Sequence, residues 1–361
     1  KANDVALTID ARIQYAAESA LKKGLERAHA ERGAVIALDP KTGEMLAFAV
    51  LPDFDPEFFY KAKAQELKNW AVTDVYPPGS TMKILTVAAG IESGVIQEDS
   101  RILDTGKIRV ANFEIVNHDY AQKGAMGNID LVTLLQRSSN IASYKISSMI
   151  DKVTHNKILR AFGLGQKTGI DITGESSGIL PKPEDWSDLT HGTMGYGYGL
   201  AATPLQMAAA VASIANNGIW ITPHVVKQDP HVLRHRSIKA STAESMDNVL
   251  MKSIAKSKTS PYYIADYDLA GKTGTSRKPS DDGRGYSSNL FTSFVGYFPA
   301  RAPKILIMVV VDSPKVGNAW GATIAGPIFH EVALEAAGYL GIKPVVPLSA
   351  PTLTNFPERQ G

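Results

Sequence analysis

The chain has 361 residues, of which 44% are hydrophobic and 20% charged, as expected for a globular protein with one large domain or two ordinary ones. The formal net charge of +2 and the lack of basic runs argue against nucleic-acid binding. There is no cysteine, which excludes disulfides and thiolate catalysis, and the eight histidines show no HExxH-type spacing, so we expect no metal site.

The first 60 residues predict one helix and two strands. An amphipathic pattern covers about 11–29, and strand-like runs follow at 33–39 and 44–51. The runs are joined by Pro-Lys-Thr-Gly, and proline followed by glycine between apolar runs indicates a hairpin. The first Lys-Thr-Gly triplet, Lys41-Thr42-Gly43, is therefore interpreted as a turn.

The pattern from about 84 to 218 is mainly helical. In TPLQMAAAVASIANNG, Thr203 suits an N-cap, Pro204 the first helical position and Gln206 a capping box, and Gly218 can end the helix.

A second helix is predicted over 241–256, where Ser241 and Glu244 also have capping-box spacing. The second triplet, Lys167-Thr168-Gly169, lies in a glycine-rich connector and is interpreted as a loop.

After residue 265 the pattern returns to strands. Three are predicted, namely YDLAGKTGTS and the runs at 291–299 and 304–312. The longest apolar run of the chain, ILIMVVV, lies in the last of them and is too short for a membrane span of roughly 18 residues. A final helix is expected over about 326–339, beginning at Gly326-Pro327.

Two strands at the start and three at the end predict one α/β (α+β) domain over 1–341, with a five-stranded antiparallel sheet flanked by helices. The sheet part would comprise about 1–60 and 265–341, and an all-helical subdomain about 75–260. The proline-rich residues 342–361 are interpreted as a tail.

Ser-x-x-Lys places a hydroxyl and an amine on one helix face, where the lysine can act as base toward the serine. The chain contains three such pairs, Ser19–Lys22, Ser80–Lys83 and Ser253–Lys256, close to the number expected by chance. The first and third fall on predicted amphipathic helices, where such a pair is usually solvated surface.

Ser80 has a different context, because Pro77-Pro78-Gly79 ends an extended segment directly before it. It therefore lies at or near a helix N-terminus, whose free N–H groups a developing oxyanion would use. An ordinary N-cap serine is the alternative for this stretch alone.

Ser-x-Asn occurs twice. Ser287-Ser288-Asn289 lies in a predicted loop before a strand, where a turn explains it. Ser138-Ser139-Asn140 is a polar triplet between two apolar helical runs, which a surface position explains less well.

The third triplet, Lys272-Thr273-Gly274, is the copy on a predicted strand and is extended by Thr275. Thr273 and Thr275 fall on one face of that strand, where both hydroxyls can contact one ligand carboxylate near the charge of Lys272. Gly274 leaves space for an extended peptide to add to the strand.

In this order, Ser80-Thr81-Met82-Lys83, Ser138-Ser139-Asn140 and Lys272-Thr273-Gly274-Thr275 resemble the motif set of penicillin-binding proteins and class A β-lactamases. Longer stretches, including VYPPGSTMK, LLQRSSN, GESSGILP and AGKTGTS, resemble the transpeptidase domain of class B penicillin-binding proteins, most closely the division-specific septal type. The resemblance spans about 1–340. The segment KSKTSPYYIADYD departs from the family pattern, which leaves division and elongation roles both open.

The resemblance implies the penicillin-binding/β-lactamase-like fold and a serine D,D-transpeptidase that cross-links peptidoglycan stem peptides. It implies Ser80 as the nucleophile that forms an acyl-enzyme, Lys83 as its base, Ser138 as proton relay and Asn140 as the residue orienting the substrate amide. Lys272 would lower the pKa of Lys83 and attract the substrate carboxylate. The remaining substrate-binding residues would be Thr273, Gly274 and Thr275.

The same resemblance implies the partners. These are a D-Ala-D-Ala donor and an amine acceptor among stem peptides, β-lactam antibiotics that acylate Ser80, a membrane glycan polymerase and divisome proteins. It implies no cofactor and no nucleic acid. It also implies a periplasmic position on the bacterial cell membrane, held by an N-terminal anchor upstream of Lys1.

Two alternatives stay open. One is a β-lactamase or D,D-carboxypeptidase of the same superfamily, in which water deacylates Ser80. The other is a non-catalytic β-lactam sensor or division scaffold, against which the presence of all the motif residues argues.

Overall fold

The computed structural model describes residues 4–228, 231–280 and 285–344. Its first elements are α1 (Ala11–Ala28), β1 (Arg32–Leu38), β2 (Met45–Leu51), α2 (Trp70–Thr73) and α3 (Met82–Ser93). The middle of the chain contains β3 (Arg101–Asp104), β4 (Lys107–Val110), β5 (Phe113–Val116), α4 (Tyr120–Lys123), β6 (Gly127–Asp130), α5 (Leu131–Arg137), α6 (Asn140–Met149), α7 (Lys152–Ala161), α8 (Asp188–Met194), α9 (Pro204–Ala215), β7 (Ile219–Ile221), β8 (Arg234–Arg236) and α10 (Ala240–Ala255). The last elements are β9 (Ala270–Pro279), β10 (Tyr286–Phe298), β11 (Ile305–Asp312) and α11 (Gly321–Tyr339), and short 3₁₀ turns cover Pro56–Lys61, Gly79–Thr81 and Pro183–Asp185.

The two ends of the chain form one five-stranded sheet in the order β2–β1–β11–β10–β9. Every neighbouring pair is antiparallel, as predicted. The central strand β11 is buried along its whole length because helices cover both faces of the sheet. The strand that carries the third Lys-Thr-Gly, β9, lies at the edge.

The alternation of side chains along β11 divides the core into two layers. Val309 faces α1 and α11 and belongs to a cluster with Ile13 and Phe329. Val310 points to the opposite face and packs in the larger cluster that includes Val211 of α9. The sheet is thus held between the terminal helices and the helical part of the domain.

The middle of the chain is mainly helical, but the expectation of an all-helical subdomain is wrong in detail. It also contains three two-stranded sheets, β3–β6, β4–β5 and β7–β8. The strands of residues 101–130 have only four residues each, and Gly106, Ala111 and Gly124 between them adopt positive φ. Such short pieces carry too little periodicity to be recognised from the sequence.

The predicted capping of α9 is confirmed. The Gln206 N–H donates to Thr203 Oγ1 (3.0 Å), and the Thr203 N–H donates to Gln206 Oε1 (2.9 Å). Pro204 occupies the first helical position. Gly218, at φ +76°, closes the end by donating its N–H to the Ser213 carbonyl (2.8 Å).

The predicted capping box of α10 is wrong. This helix begins at Ala240, before Ser241, and its N-cap residue Lys239 makes no side-chain cap. Glu92 of α3 supplies the acceptor, since its carboxylate receives the Lys239 N–H (2.9 Å) and the Thr242 hydroxyl (2.6 Å). The cap therefore comes from a distant part of the sequence.

The last helix begins at Gly321, five residues before the predicted start, and Pro327 lies inside it. A proline in a helix removes one N–H donor. The helix continues because its inner face, including Ile328, Phe329 and Val332, is fully buried. Ile342 is also buried, at 9% exposure, so packing extends into the expected tail, whose residues from 345 onward lie outside the described residues.

The first two Lys-Thr-Gly triplets lie in loops, as predicted. Gly43 turns the β1–β2 hairpin at φ +82°. The second triplet wraps around the Glu175 carboxylate, which accepts the Thr168 N–H (2.6 Å) and the Gly169 N–H (3.0 Å). Within the described ranges, none of the helices has the length and apolar character to span a membrane.

Candidate active site

Ser80 lies in the 3₁₀ turn Gly79–Thr81, which leads directly into α3. This confirms its predicted position at a helix start. The Thr81 hydroxyl donates to the Pro78 carbonyl (2.8 Å), which holds the turn closed. The Ser80 side chain is half-buried and lines a cleft of ≈ 580 Å³ between the helical part and β9.

Lys83 lies in the first turn of α3 and is fully buried. Its Nζ donates to the Ser138 carbonyl (2.6 Å) and to Asn140 Oδ1 (2.7 Å), and lies 3.0 Å from Ser138 Oγ. Lys83, the predicted base of the first motif, therefore contacts both Ser138 and Asn140 of the second motif.

Ser138 connects α5 to α6 in the left-handed conformation, at φ +56°. Its Oγ lies 2.9 Å from Ser80 Oγ. Among the hydrogen bonds of the described residues, none joins Ser80 directly to Lys83, so the contact between nucleophile and base runs through the Ser138 hydroxyl.

The third motif lies on the edge strand β9 and faces the other two across the cleft. Thr273 and Thr275 are partly exposed and line the cleft, as the period of two predicted. The Thr275 Oγ1 accepts the Gly321 N–H (3.0 Å) from the start of α11. Lys272 is 4% exposed, and its Nζ donates to the Thr273 carbonyl (3.2 Å).

Gly274 is required for packing within the protein. A Cβ at this position would lie 2.3 Å from Ser293 Oγ and 2.9 Å from Thr81 Cγ2. Gly321 also packs on the Gly274 backbone, with its own Cβ position 2.3 Å from the Gly274 carbonyl oxygen. The absence of a side chain lets β9 approach the turn that carries Ser80.

Burial lowers the pKa of both site lysines. Desolvation lowers the pKa of Lys83 well below its ordinary value, and the nearby charge of Lys272 lowers it further. Asp104 and Asp119 act on the Lys83 pKa in the opposite direction. Burial lowers the pKa of Lys272 to about 7. A neutral Lys83 amine is thus favoured at this site.

Sequence reasoning missed the aromatic residues of the cleft, although Tyr196 and Tyr198 carry a signal in the alternating Gly-Tyr-Gly-Tyr-Gly. The Tyr198 hydroxyl accepts the Arg277 N–H (3.1 Å) beyond the third motif. His118 and Trp320 also line the cleft, with ring centroids 5.9 Å apart. No sequence signal joined these two residues.

The other serines considered lie away from the cleft. Ser19 is half-buried on α1 and its partner Lys22 is exposed. Ser253 is buried rather than solvated, and its hydroxyl donates to the Leu250 carbonyl (2.8 Å). Ser287 lies in the irregular start of β10 and not in a loop before the strand, because β10 begins at Tyr286 with a register shift.

Within the described residues, no three His, Asp or Glu side chains cluster so that they could hold a metal ion. The site consists of two serine hydroxyls, two threonine hydroxyls, two lysines, an amide and a partly exposed edge strand. This arrangement can activate a serine for attack on a carbonyl while an extended peptide lies along β9.

A helix-start serine with a lysine one turn later, a Ser-x-Asn loop and an edge strand with Lys-Thr-Gly define the class of penicillin-interacting serine enzymes. A family model described as the penicillin binding protein transpeptidase domain matches residues 33–334, and the chain belongs to this family.

Curated relatives cover nearly all of the chain. The peptidoglycan D,D-transpeptidase FtsI of Escherichia coli (strain K12) is 32% identical over 347 residues, which are 95% of this chain and 57% of that protein. A probable peptidoglycan D,D-transpeptidase PenA of Neisseria flavescens is 30% identical over 356 residues, which are 98% of this chain and 87% of that protein. The chain therefore spans little more than half the length of the Escherichia coli relative.

Solved structures show the same fold. The transpeptidase domain of Burkholderia pseudomallei penicillin-binding protein 3 matches with a TM-score of 0.83 at 28% identity, covering 95% of this chain and 98% of that one. Penicillin-binding protein 3 of Mycobacterium tuberculosis, solved in complex with aztreonam, matches with a TM-score of 0.85 at 27% identity, covering 95% of this chain and 81% of that one.

Proposed function

We propose that this domain is a peptidoglycan D,D-transpeptidase that forms an acyl-enzyme on Ser80. The observation that carries the proposal is the continuous contact from Ser80 Oγ through Ser138 Oγ (2.9 Å) to Lys83 Nζ (3.0 Å), beside a cleft that Thr273 and Thr275 of β9 also line. The names of the relatives support the same activity.

Lys83 Nζ has three oxygen neighbours, and once the amine is neutral it can donate to two of them and accept from the third. A neutral amine has two N–H donors and one lone pair. The donors serve the Ser138 carbonyl and Asn140 Oδ1, and the lone pair can then face Ser138 Oγ. As Ser80 Oγ attacks the donor carbonyl carbon, the Ser80 proton passes to Ser138 Oγ, whose own proton passes to Lys83.

In the second half of acylation, Lys83 gives up the proton that it accepted. The carbonyl oxygen becomes an oxyanion, which the N–H groups of Ser80 and Thr275 would stabilise by roughly 3–4 kcal/mol each. When the amide C–N bond breaks, the proton on Lys83 returns through Ser138 to the leaving D-Ala nitrogen. The Ser80 ester of the stem peptide remains.

Deacylation repeats the path in reverse with a different amine. The amine of a neighbouring stem peptide attacks the ester carbonyl and gives its proton through Ser138 to Lys83, and the Ser80 oxygen recovers a proton as the ester bond breaks. Asn140 would orient the substrate amide. Thr273, Gly274 and Thr275 would bind the donor, with the hydroxyls on its terminal carboxylate and Lys272 supplying positive potential.

The wider role rests on the family resemblance. We infer that the domain acts in septal cell-wall synthesis on the periplasmic face of the membrane, anchored by an N-terminal segment, with a glycan polymerase and divisome proteins as partners. β-Lactams would acylate Ser80 as substrate mimics. The aztreonam complex of the Mycobacterium relative supports this part of the proposal.

Covalent labelling with a fluorescent penicillin tests the proposal. Ser80→Ala should abolish labelling, whereas Ser19→Ala, Ser253→Ala and Ser287→Ala should leave it intact, and peptide mapping should locate the adduct on Ser80. Labelling of Ser80→Ala would refute the assignment. Rapid turnover of nitrocefin would favour the hydrolase alternative, and complete absence of an adduct on the wild-type protein would favour the non-catalytic one.

A further inference from the structure

Asp104, the last residue of β3, has a fully buried carboxyl group that, among the described residues, makes no hydrogen bond to Ser80 or Lys83 and acts on Lys83 through its charge. Its two oxygens accept from the Gly106 N–H (2.6 Å) and from Asn117 Nδ2 (2.9 Å to each oxygen). The Ser139 hydroxyl also donates to it. A carboxylate only accepts hydrogen bonds and therefore suits these donors. An amide at position 104 would place its own NH2 group against the NH2 group of Asn117.

Asn117 continues these contacts to the start of α6. It is 3% exposed, and its Oδ1 accepts the Asn140 N–H (2.8 Å) and the Ile141 N–H (3.3 Å). Ser139, the N-cap of the same helix, accepts the Ala142 N–H (2.9 Å) on its hydroxyl. Asp104 therefore orients two side chains that together satisfy the free donors of one helix N-terminus.

The start of α6 is where two side chains of the site are fixed in space. Ser138, directly before the N-cap, is held in the left-handed conformation that non-glycine residues rarely adopt. Asn140 is the first helical residue, and its Nδ2 donates to the Val116 carbonyl (2.9 Å) next to Asn117. Both residues contact Lys83 Nζ.

We propose that Asp104 and Asn117 are positioning residues for acylation, which hold Ser138 and Asn140 at the distances that connect Ser80 to Lys83. The inference rests on the proposed function. Neither residue contacts the cleft, so neither would touch the substrate. Their loss would therefore reduce the rate of bond formation more than the affinity for the ligand, because a displacement near 1 Å is enough to cost about 100-fold.

The test measures the acylation rate constant and the noncovalent affinity separately, from time courses of fluorescent penicillin labelling at several concentrations. Each variant is compared on the plateau of its own rate–pH profile, where the charge of residue 104 no longer changes the rate through Lys83. Asp104→Asn and Asn117→Asp should each lower the rate constant about 10- to 100-fold while the affinity changes less. The double variant Asp104→Asn/Asn117→Asp restores a carboxylate opposite an amide and should recover much of the rate lost by the single variants.

Asp151→Ala is the control, because it removes the N-cap of α7, which accepts the Thr154 N–H (2.9 Å), but Asp151 lies outside this network. It should leave the acylation rate constant unchanged while lowering the Tm. If a single variant fails to fold, Ser139→Ala makes the same test, since it removes one donor to Asp104 and one cap of α6.

Unchanged rate constants in folded variants, or a double variant that recovers its Tm without recovering its rate, would overturn the inference. The second outcome would show that the pair acts on stability alone. The wild-type protein serves to test the proposed function separately. If it forms no adduct on Ser80, the proposed function is contradicted; if it forms one and the variants react equally fast, only the positioning role of Asp104 and Asn117 is contradicted.

Discussion

The hydroxyl of Ser138 lies 2.9 Å from the hydroxyl of Ser80, although 58 positions of sequence separate them. Ser138 thus bridges Ser80, in the 3₁₀ turn before α3, and Lys83, in the first turn of that helix. A substitution of Ser138 should therefore lower the acylation rate constant more than a substitution of a residue that contacts Lys83 alone.

We expect Ser138→Ala to lower the acylation rate constant by about 10²- to 10⁴-fold, the usual range for loss of a proton-transfer group. The reason is that Ser80 would lose its hydrogen-bonded path to Lys83. Labelling kinetics with a fluorescent penicillin measure the effect. Ser287→Ala, the first residue of the other Ser-Ser-Asn, is the control and should react like the wild-type protein.

The acylation rate should rise with pH as Lys83 loses its proton, because only the neutral amine can accept one. Lys272 from β9 lowers the pKa of Lys83, whereas Asp104 from β3 and Asp119 from the loop after β5 raise it. His118, from the same loop, also faces this group. Rate–pH profiles of wild type and variants test which of these charges matter.

Two variants should move this profile in opposite directions. Lys272→Met removes a repulsive charge, so the Lys83 pKa should rise and the rising limb should move to higher pH. Asp119→Asn removes an attractive charge, so the limb should move to lower pH. A shift in the same direction for both variants would contradict the electrostatic assignment.

Lys272 should reduce the stability of the fold at neutral pH. Its pKa is about 7 in the folded chain and 10.5 ordinarily, so between these values the unfolded chain binds more protons. The free energy of unfolding should therefore rise with pH from about 7 to about 10.5, and holding the buried cation at lower pH costs about 3–5 kcal/mol.

Lys272→Met should accordingly raise the Tm by several degrees at pH 7 and flatten its pH dependence, while acylation falls. Thermal unfolding followed by circular dichroism measures the Tm and its pH dependence, and penicillin labelling measures acylation. Lys41→Met is the control, since Lys41 is the exposed lysine of the first Lys-Thr-Gly. A Tm that falls in the Lys272 variant would show that the charge stabilises the site.

Gly197 supports the turn that carries Ser80. A Cβ at Gly197 would lie 2.2 Å from the Gly79 carbonyl oxygen and 2.3 Å from its nitrogen, directly before the nucleophile. We expect Gly197→Ala to slow acylation about 100-fold by displacing that turn.

The comparison for Gly197→Ala is Gly94→Ala, which separates displacement from backbone strain. Both glycines adopt positive φ, at +90° and +80°, but nothing lies within 4 Å of a Cβ at Gly94. Both variants should be destabilised by about 1–3 kcal/mol through backbone strain, and Gly197→Ala further by its clash with the Gly79 backbone. Only the Gly197 variant should lose acylation, as measured by penicillin labelling and thermal unfolding together.

Local chemistry explains which elements the sequence predicted well. The hairpin of β1 and β2 and the capping of α9 depend on residues within a few positions of one another, so they can be recognised without the rest of the chain. The start of α10 could not be recognised from nearby residues, because its capping carboxylate comes from Glu92 of α3. The early start of α11 depends on burial of a whole helix face around Pro327.

The sequence by itself determined the family, the motif residues and their order, because these are properties of residue identity and spacing. Only the tertiary structure decided that Ser138 stands between Ser80 and Lys83, that both lysines are buried, and that Gly274 and Gly197 admit close backbone contacts. A hydrogen bond forms within about 3 Å. Whether residues so far apart in the chain reach that distance depends on how the helices pack against β9, which no local pattern encodes.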